Sequence, residues 1–201
     1  GTSHYLGTNF AKAFDITYSD KNNEVQHVHT TSWGMSTRMI GAVILAHGDD
    51  QGLVLPPRLA PIQIVIIPIG RDESGEAALA KAEELAAELR ASGVRVHVDD
   101  RDASPGFKFN DWELKGVPLR AELGPRDLEA GHGLVAHRVG EHDEKGRAVK
   151  ETIPVAEFVA RVPSMLDEYH GYLVARADAF REENTSVTDE WDAFADQVST
   201  G

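Results

Sequence analysis

The stretch IQIVIIPIG, residues 62–70, limits the possible folds of this chain more than any other. It is an apolar run of strand length, the mark of a strand covered on both faces. From about Ser74 to Ala91 the pattern turns helical. Leu79, Ala82, Ala86 and Leu89 form one apolar stripe, and Gly93 is a suitable stop. VRVHVDD (94–100) then alternates like a second strand. Strand, helix and strand at these lengths predict a right-handed βαβ unit with parallel strands. The Pro56-Pro57 break upstream puts a domain boundary near Leu59.

The spacing further on predicts a helix over FKFNDWELKG (107–116) and strands over VPLRAELG (117–124) and GLVAHRVG (133–140). The turn-rich PRDLEAGHG joins those strands, and EHDEKGR (141–147) reads as a charged surface turn. Helices are expected at 154–161 and 163–182, each with proline in a first position. In the second, Leu166, Tyr169, Leu173, Ala177 and Phe180 make the apolar stripe. A last helix, about 188–198, has Thr188 as cap. Its Trp191, Phe194, Ala195 and Val198 face is expected to pack on structure beyond Gly201. Phe107, Phe109 and Trp112 stand at helical spacing, which favours core positions over base-stacking ones.

Before residue 60 the order is a loop, then FDITYS and VQHVHTTSW as a hairpin around SDKNNE, then a turn at Gly34 and a helix from Ser36 to Gly48. Met39, Ile40, Val43, Ile44 and Ala46 give that helix its expected buried side. Arg38 opposes the helix dipole in the first turn. Together with the helix N-terminus it would make an anion site, most naturally for a phosphate; the alternative is a solvated or surface-paired arginine. His27 and His29 read as ordinary strand residues, and His47, Asp49 and Asp50 as turn and cap residues. Asp99, Asp100 and Asp102 read as a solvated turn, so no metal site is expected.

With 201 residues, 41% hydrophobic and 26% charged, the chain suits one domain plus a part, or two small ones. It has no Cys, which excludes disulfides and thiolate metal sites. No apolar run reaches membrane-spanning length and no targeting segment is visible, which favours the cytoplasm and no membrane partner. A net charge of −13 opposes any grip on nucleic acid by bulk electrostatics, DNA included, so RNA contacts must come from local groups.

Three long segments carry a family resemblance. TSWGMSTRMIGAVILAHGDDQGLVLPPRLAP (31–61) resembles motif 3 of class II aminoacyl-tRNA synthetases, in the form of prolyl-tRNA synthetases of the archaeal/eukaryotic type. GTSHYLGTNFAKAF (1–14) resembles the segment preceding it, and PGFKFNDWELKGVPLRAELGPRDLEAG (105–131) the core of the anticodon-binding domain. Thr37 stands where the generic motif 3 carries Glu, a departure that fits the prolyl subgroup.

The resemblance implies an α/β chain: the last part of a class II antiparallel α+β catalytic domain over 1–59, then an anticodon-binding domain over 60–165. That domain would have a mixed, mainly parallel sheet flanked by helices, with a helical linker over 166–201. It implies part of a proline–tRNA ligase, which activates proline with ATP and Mg2+ and transfers it to tRNA(Pro), usually as a homodimer. The chain would be a piece of that enzyme, inactive alone. Arg38 would be the catalytic cation. Thr2, Ser36 and Arg38 would meet ATP, and His4 and Trp33 would meet proline. Glu113, Arg120, Arg126 and Asp127 would read the anticodon. Every proline anticodon holds two invariant guanines, and an unpaired guanine offers acceptors at O6 and N7 and donors at N1 and N2. A cation suits the first pair and a carboxylate the second. The alternatives are a non-catalytic RNA-binding paralogue, or a threonyl, histidyl or glycyl synthetase, which TSHYLG and SWGMSTR disfavour.

Overall fold

A computed structural model describes residues 1–70, 72–140 and 148–200. The expected charged turn over 141–147 lies outside the described residues. The chain divides into two compact units, Gly1–Leu45 and Ala46–Gly201.

The first unit holds strand β1 (Thr2–Gly7), helix α1 (Asn9–Ala13), and strands β2 (Thr17–Ser19), β3 (Val25–His27) and β4 (Thr30–Gly34). Helix α2 (Met39–His47) begins in it. The SDKNNE hairpin forms as β2–β3. Its turn is closed by the Asp20 side chain, which accepts from the amides of Asn22 (2.8 Å) and Glu24 (3.0 Å). The expected second strand, however, splits. Residues 30–34 leave the hairpin and pair antiparallel with β1, and residues 2–7, read as loop, are their partner. The helix expected from Ser36 starts at Met39, because Thr37 and Arg38 form a turn first. Its expected buried side is not buried: Met39, Ile40 and Ile44 are all exposed, and Ala11 is the unit's buried hydrophobic.

The second unit is a five-stranded sheet flanked by helices. Its elements are β5 (Ile64–Pro68), α3 (Asp72–Ala91), β6 (Val96–Val98), α4 (Pro105–Leu114), β7 (Leu119–Leu123), α5 (Pro125–Glu129), β8 (His132–His137), β9 (Lys150–Pro154), α6 (Val155–Glu183) and α7 (Trp191–Thr200). The strand order is β6-β5-β7-β8-β9. β5 pairs parallel with β6 and β7, while β7–β8 and β8–β9 are antiparallel, so the sheet is mixed. The βαβ unit stands as the apolar run requires.

Alternation along the strands sorts the sheet's two faces. Ile64, Ile66, Leu119, Ala121 and Leu123 turn to one side, where Ala82, Leu85, Ala86 and Leu89 of α3 and Phe158, Val162 and Met165 of α6 cover them. Val65 and Ile67 turn to the other, against Trp112 of α4. Arg120 pairs with Val65 and Glu122 with Ile67, so both charges face the α4 side.

Three expected element assignments fail in this unit. The PRDLEAGHG connection contains the short helix α5, with Pro125 in its first turn. Residues 150–154 form edge strand β9, and Pro154 precedes the next helix rather than starting it. The two expected helices are one, with Pro163 inside α6; buried residues run continuously past it from Phe158 to Leu173, and that packing outweighs the lost backbone bond. Tyr169 and Leu173 pack on Val54 and Val139, whereas Phe180 is exposed. On α7, Trp191 and Val198 are exposed as well.

Candidate functional site

Strand β7 reads Leu-Arg-Ala-Glu-Leu, and its two charges are held by groups from neighbouring elements. Glu122 is buried and accepts from Arg120 Nε (3.3 Å) and Lys150 Nζ (2.6 Å). The Arg120 guanidinium lies over the Phe109 ring at 4.3 Å, and the Lys150 ammonium approaches the same ring at 5.5 Å. Such cation–π contacts align a cation without quenching its charge. Phe109 thus serves as a half-buried platform. Trp112 is core, as expected, whereas Phe107 is 59% exposed against expectation. Lys115 lies over Trp112 at 4.4 Å and pairs with Asp111.

Glu113, in the last turn of α4, and Arg120 meet around a water-sized cavity of about 10 Å3, which Trp112, Val117, Ala136, His137 and Arg138 complete. The two make no ion pair with each other among the described residues; the Arg120 partner is Glu122. Arg126 and Asp127 lie elsewhere, on α5 beyond the far end of β7. At about 3.3 Å per residue along a strand they are on the order of 15 Å from Arg120. Asp127 folds back over Gly124 and reaches His132 Nδ1 at 3.9 Å, and Arg126 is exposed. The four candidates therefore form two groups, each with one arginine and one carboxylate.

In the first unit the β1–β4 register sets Thr2 opposite Gly34, Ser3 opposite Trp33 and His4 opposite Ser32. By alternation Thr2 and His4 share one face of the ribbon and Trp33 takes the other. Thr2 and Trp33 both border an open depression of about 360 Å3, with Gly1, Ser3, Gly34 and Met35, at the ribbon's end. Ser36 and Arg38 lie just ahead of α2 and are exposed, and the Arg38 carbonyl accepts from the Ala42 amide (3.3 Å). His27 ends β3 and His29 lies between strands, and no group of three or more metal-type ligands occurs among the described residues.

The family model for the anticodon binding domain matches residues 63–165, half of the chain. The chain belongs to the anticodon-binding-domain family. Over its full length it is similar to proline–tRNA ligases of Deinococcus radiodurans (52% identity over 202 residues) and Mycobacterium leprae (49% over 201 residues). It covers 39% and 41% of those relatives, so it spans about two fifths of their length. A crystal structure of prolyl-tRNA synthetase from Cryptosporidium parvum, complexed with halofuginone and AMPPNP, matches at TM-score 0.82 and 38% identity. The match covers 98% of this chain and 39% of that one. A second structure of that enzyme, with L-proline and AMP, matches equally well.

Within the anticodon-binding domain, one residue that the sequence reading missed holds α4 in place. Asp99, expected in a solvated turn, is fully buried at the end of β6. Its carboxylate accepts from Trp112 Nε1 (2.7 Å), Arg101 Nε (2.9 Å) and Arg101 Nη2 (2.8 Å), and its carbonyl accepts from Lys108 Nζ (3.0 Å). Burial, the largest single influence, pushes the Asp99 carboxyl up. Hydrogen bonds from Arg101 and Trp112, with the nearby Lys108 charge, outweigh it and hold the group well below the usual carboxylate range. Trp112 and Lys108 belong to α4, the helix that carries Phe109 and Glu113, so Asp99 sets the site from behind.

Proposed function

We propose that this chain is the part of a proline–tRNA ligase that joins motif 3 to an anticodon reader. In this reading residues 1–59 belong to the catalytic domain, 60–165 read the anticodon, and 166–201 form a helical link. One observation carries it: Glu113 and Arg120, an acidic residue and a cation stacked on Phe109, border the same water-sized cavity on the sheet's α4 side, so a base would be met at its rim and not inside it. Arg120 offers donors to guanine O6 and N7, and Glu113 accepts from N1 and N2. Arg126 and Asp127 repeat the combination for the second invariant guanine. The chain's charge of −13 makes such local groups necessary, since the bulk field repels RNA.

The full enzyme, a cytoplasmic homodimer in this reading, forms prolyl-adenylate by attack of the proline carboxylate on the ATP α-phosphate, with loss of pyrophosphate. Arg38 neutralises phosphate charge as it develops, with Thr2 and Ser36 beside it on ATP, and Mg2+ arrives with the nucleotide. His4 contacts proline from the Thr2 face of the ribbon, and Trp33 stands at the depression that Thr2 also borders. The 201-residue chain by itself is expected to give no proline-dependent ATP–pyrophosphate exchange, because Thr2, His4 and Trp33 lie on an open two-stranded ribbon and Ser36 and Arg38 are exposed ahead of α2. Measurable exchange by the purified chain contradicts that expectation.

The reader is tested by substitution. Arg120→Ala and Glu113→Gln are each expected to weaken binding of a proline anticodon stem-loop by about 1–3 kcal/mol, the worth of one good guanine contact. Unchanged affinity in both folded variants removes them from the site.

A further inference from the structure

We propose that Arg138 is a positioning residue that couples occupancy of the Glu113 site to the C-terminal end of α2. The proposal rests on the anticodon-reading function and adds to it a route of communication. Arg138 follows β8, and its side chain is 1% exposed. It is committed to two elements far apart in sequence. Nε donates to the main-chain carbonyl of Glu113 (2.8 Å), while Nη1 and Nη2 fork onto the Asp49 carboxylate at 3.0 and 2.5 Å. The same side chain borders the cavity between Glu113 and Arg120. Asp49 stands two residues beyond the end of α2, in a tight turn closed by mutual Asp49–Gly52 backbone bonds.

Further ties bind the same pieces. The Leu53 amide donates to the Leu114 carbonyl (3.0 Å) and the Leu55 amide to the Gly116 carbonyl (3.3 Å), so the segment after α2 lies along the end of α4. Arg176 Nη2 donates to the carbonyl of His47, the last residue of α2 (2.9 Å). A buried guanidinium is a poor way to gain stability, because an apolar side chain of similar volume often does as well. What its planar fork adds is geometry: it fixes two elements relative to each other and transmits a shift in one to the other. A base that draws the last turn of α4 toward itself moves the Glu113 carbonyl, and through Arg138 it moves Asp49.

The test is amide hydrogen exchange of this chain with and without a proline anticodon stem-loop. On binding, exchange over residues 39–50 is expected to slow by about fivefold or more, within the usual range of coupling between sites. Asp49→Asn, which keeps the shape and removes the charge of the fork's acceptor, is expected to bind the stem-loop as before and to lose that slowing. Arg138→Lys, which keeps the charge and loses the fork, should also lose that slowing, and serves if Asp49→Asn does not fold; because Arg138 borders the Glu113 cavity, its exchange is compared at matched stem-loop occupancy. Binding with unchanged exchange over 39–50, or full slowing in the variants, overturns the coupling and leaves the reader standing. Absence of stem-loop binding by the unaltered chain overturns the reader and the coupling with it.

Discussion

Replacing Asp99 with alanine is expected to cost about 3–5 kcal/mol of folding stability, the range for removing one partner of a buried ionic group. Asp99 is fully buried, and the side chain of its neighbour Lys108 is only 7% exposed. Alanine leaves Trp112 Nε1 without its acceptor and Lys108 without its carboxylate, and the freed volume is unfilled. Denaturant unfolding of the variant measures the loss; a cost under about 1 kcal/mol, typical of exposed ion pairs, contradicts the buried-hub description. The same group sets an acid limit. The folded-state pKa of Asp99 is depressed, so its stabilisation is complete above the unfolded value of about 3.9 and fades as pH falls below it. Wild-type stability should therefore fall more steeply than that of Asp99→Ala as pH drops below about 4.

The second large effect is expected at Gly116. Its φ of +71° lies in the left-handed region, and a Cβ there would stand 2.5 Å from the Leu53 carbonyl oxygen and 2.6 Å from its carbon. Backbone cannot rotate aside as a side-chain tip can. Gly116→Ala therefore combines about 1–3 kcal/mol of dihedral strain with overpacking of similar size. Gly93 supplies the comparison: its φ is +88°, and nothing lies within 4 Å of an added Cβ. Gly93→Ala should show the dihedral cost alone, about 1 kcal/mol. Equal destabilisation by the two substitutions would mean that residues 53–55 do not lie against 114–116.

The contrast between Asp99 and Arg120 shows what was legible in the sequence. The strand over 117–124 that carries Arg120 could be placed because a short apolar-rich run bounded by Gly116 and Gly124 is a local property of the chain. The run 62–70 and the stripe on α3 were legible for the same reason. Asp99 was misread because Asp-Asp-Arg-Asp is turn composition. Its burial depends on Trp112 and Lys108, which only the packing of α4 brings to it. The pairing of β1 with β4 is non-local in the same sense, since no pattern within 1–7 announces residues 30–34 as partner. Residues 150–154 were masked by Pro154, whose helix-starting preference hid a short edge strand. On α2 the apolar positions were found and their burial was not, because periodicity says which side chains favour a covering surface and not whether one is there. Of the candidate site, residue types could be listed from the sequence. The division into Glu113 with Arg120 and Arg126 with Asp127 needed the course of β7.

The most direct test of the central claim is a titration of the chain with a proline anticodon stem-loop at fixed salt, beside a matched loop with both invariant guanines replaced. Binding that reads bases at two positions should favour the guanine loop by at least about tenfold, with a shallow dependence on salt because few phosphates are neutralised. Equal affinity for the two loops would contradict anticodon reading by this chain.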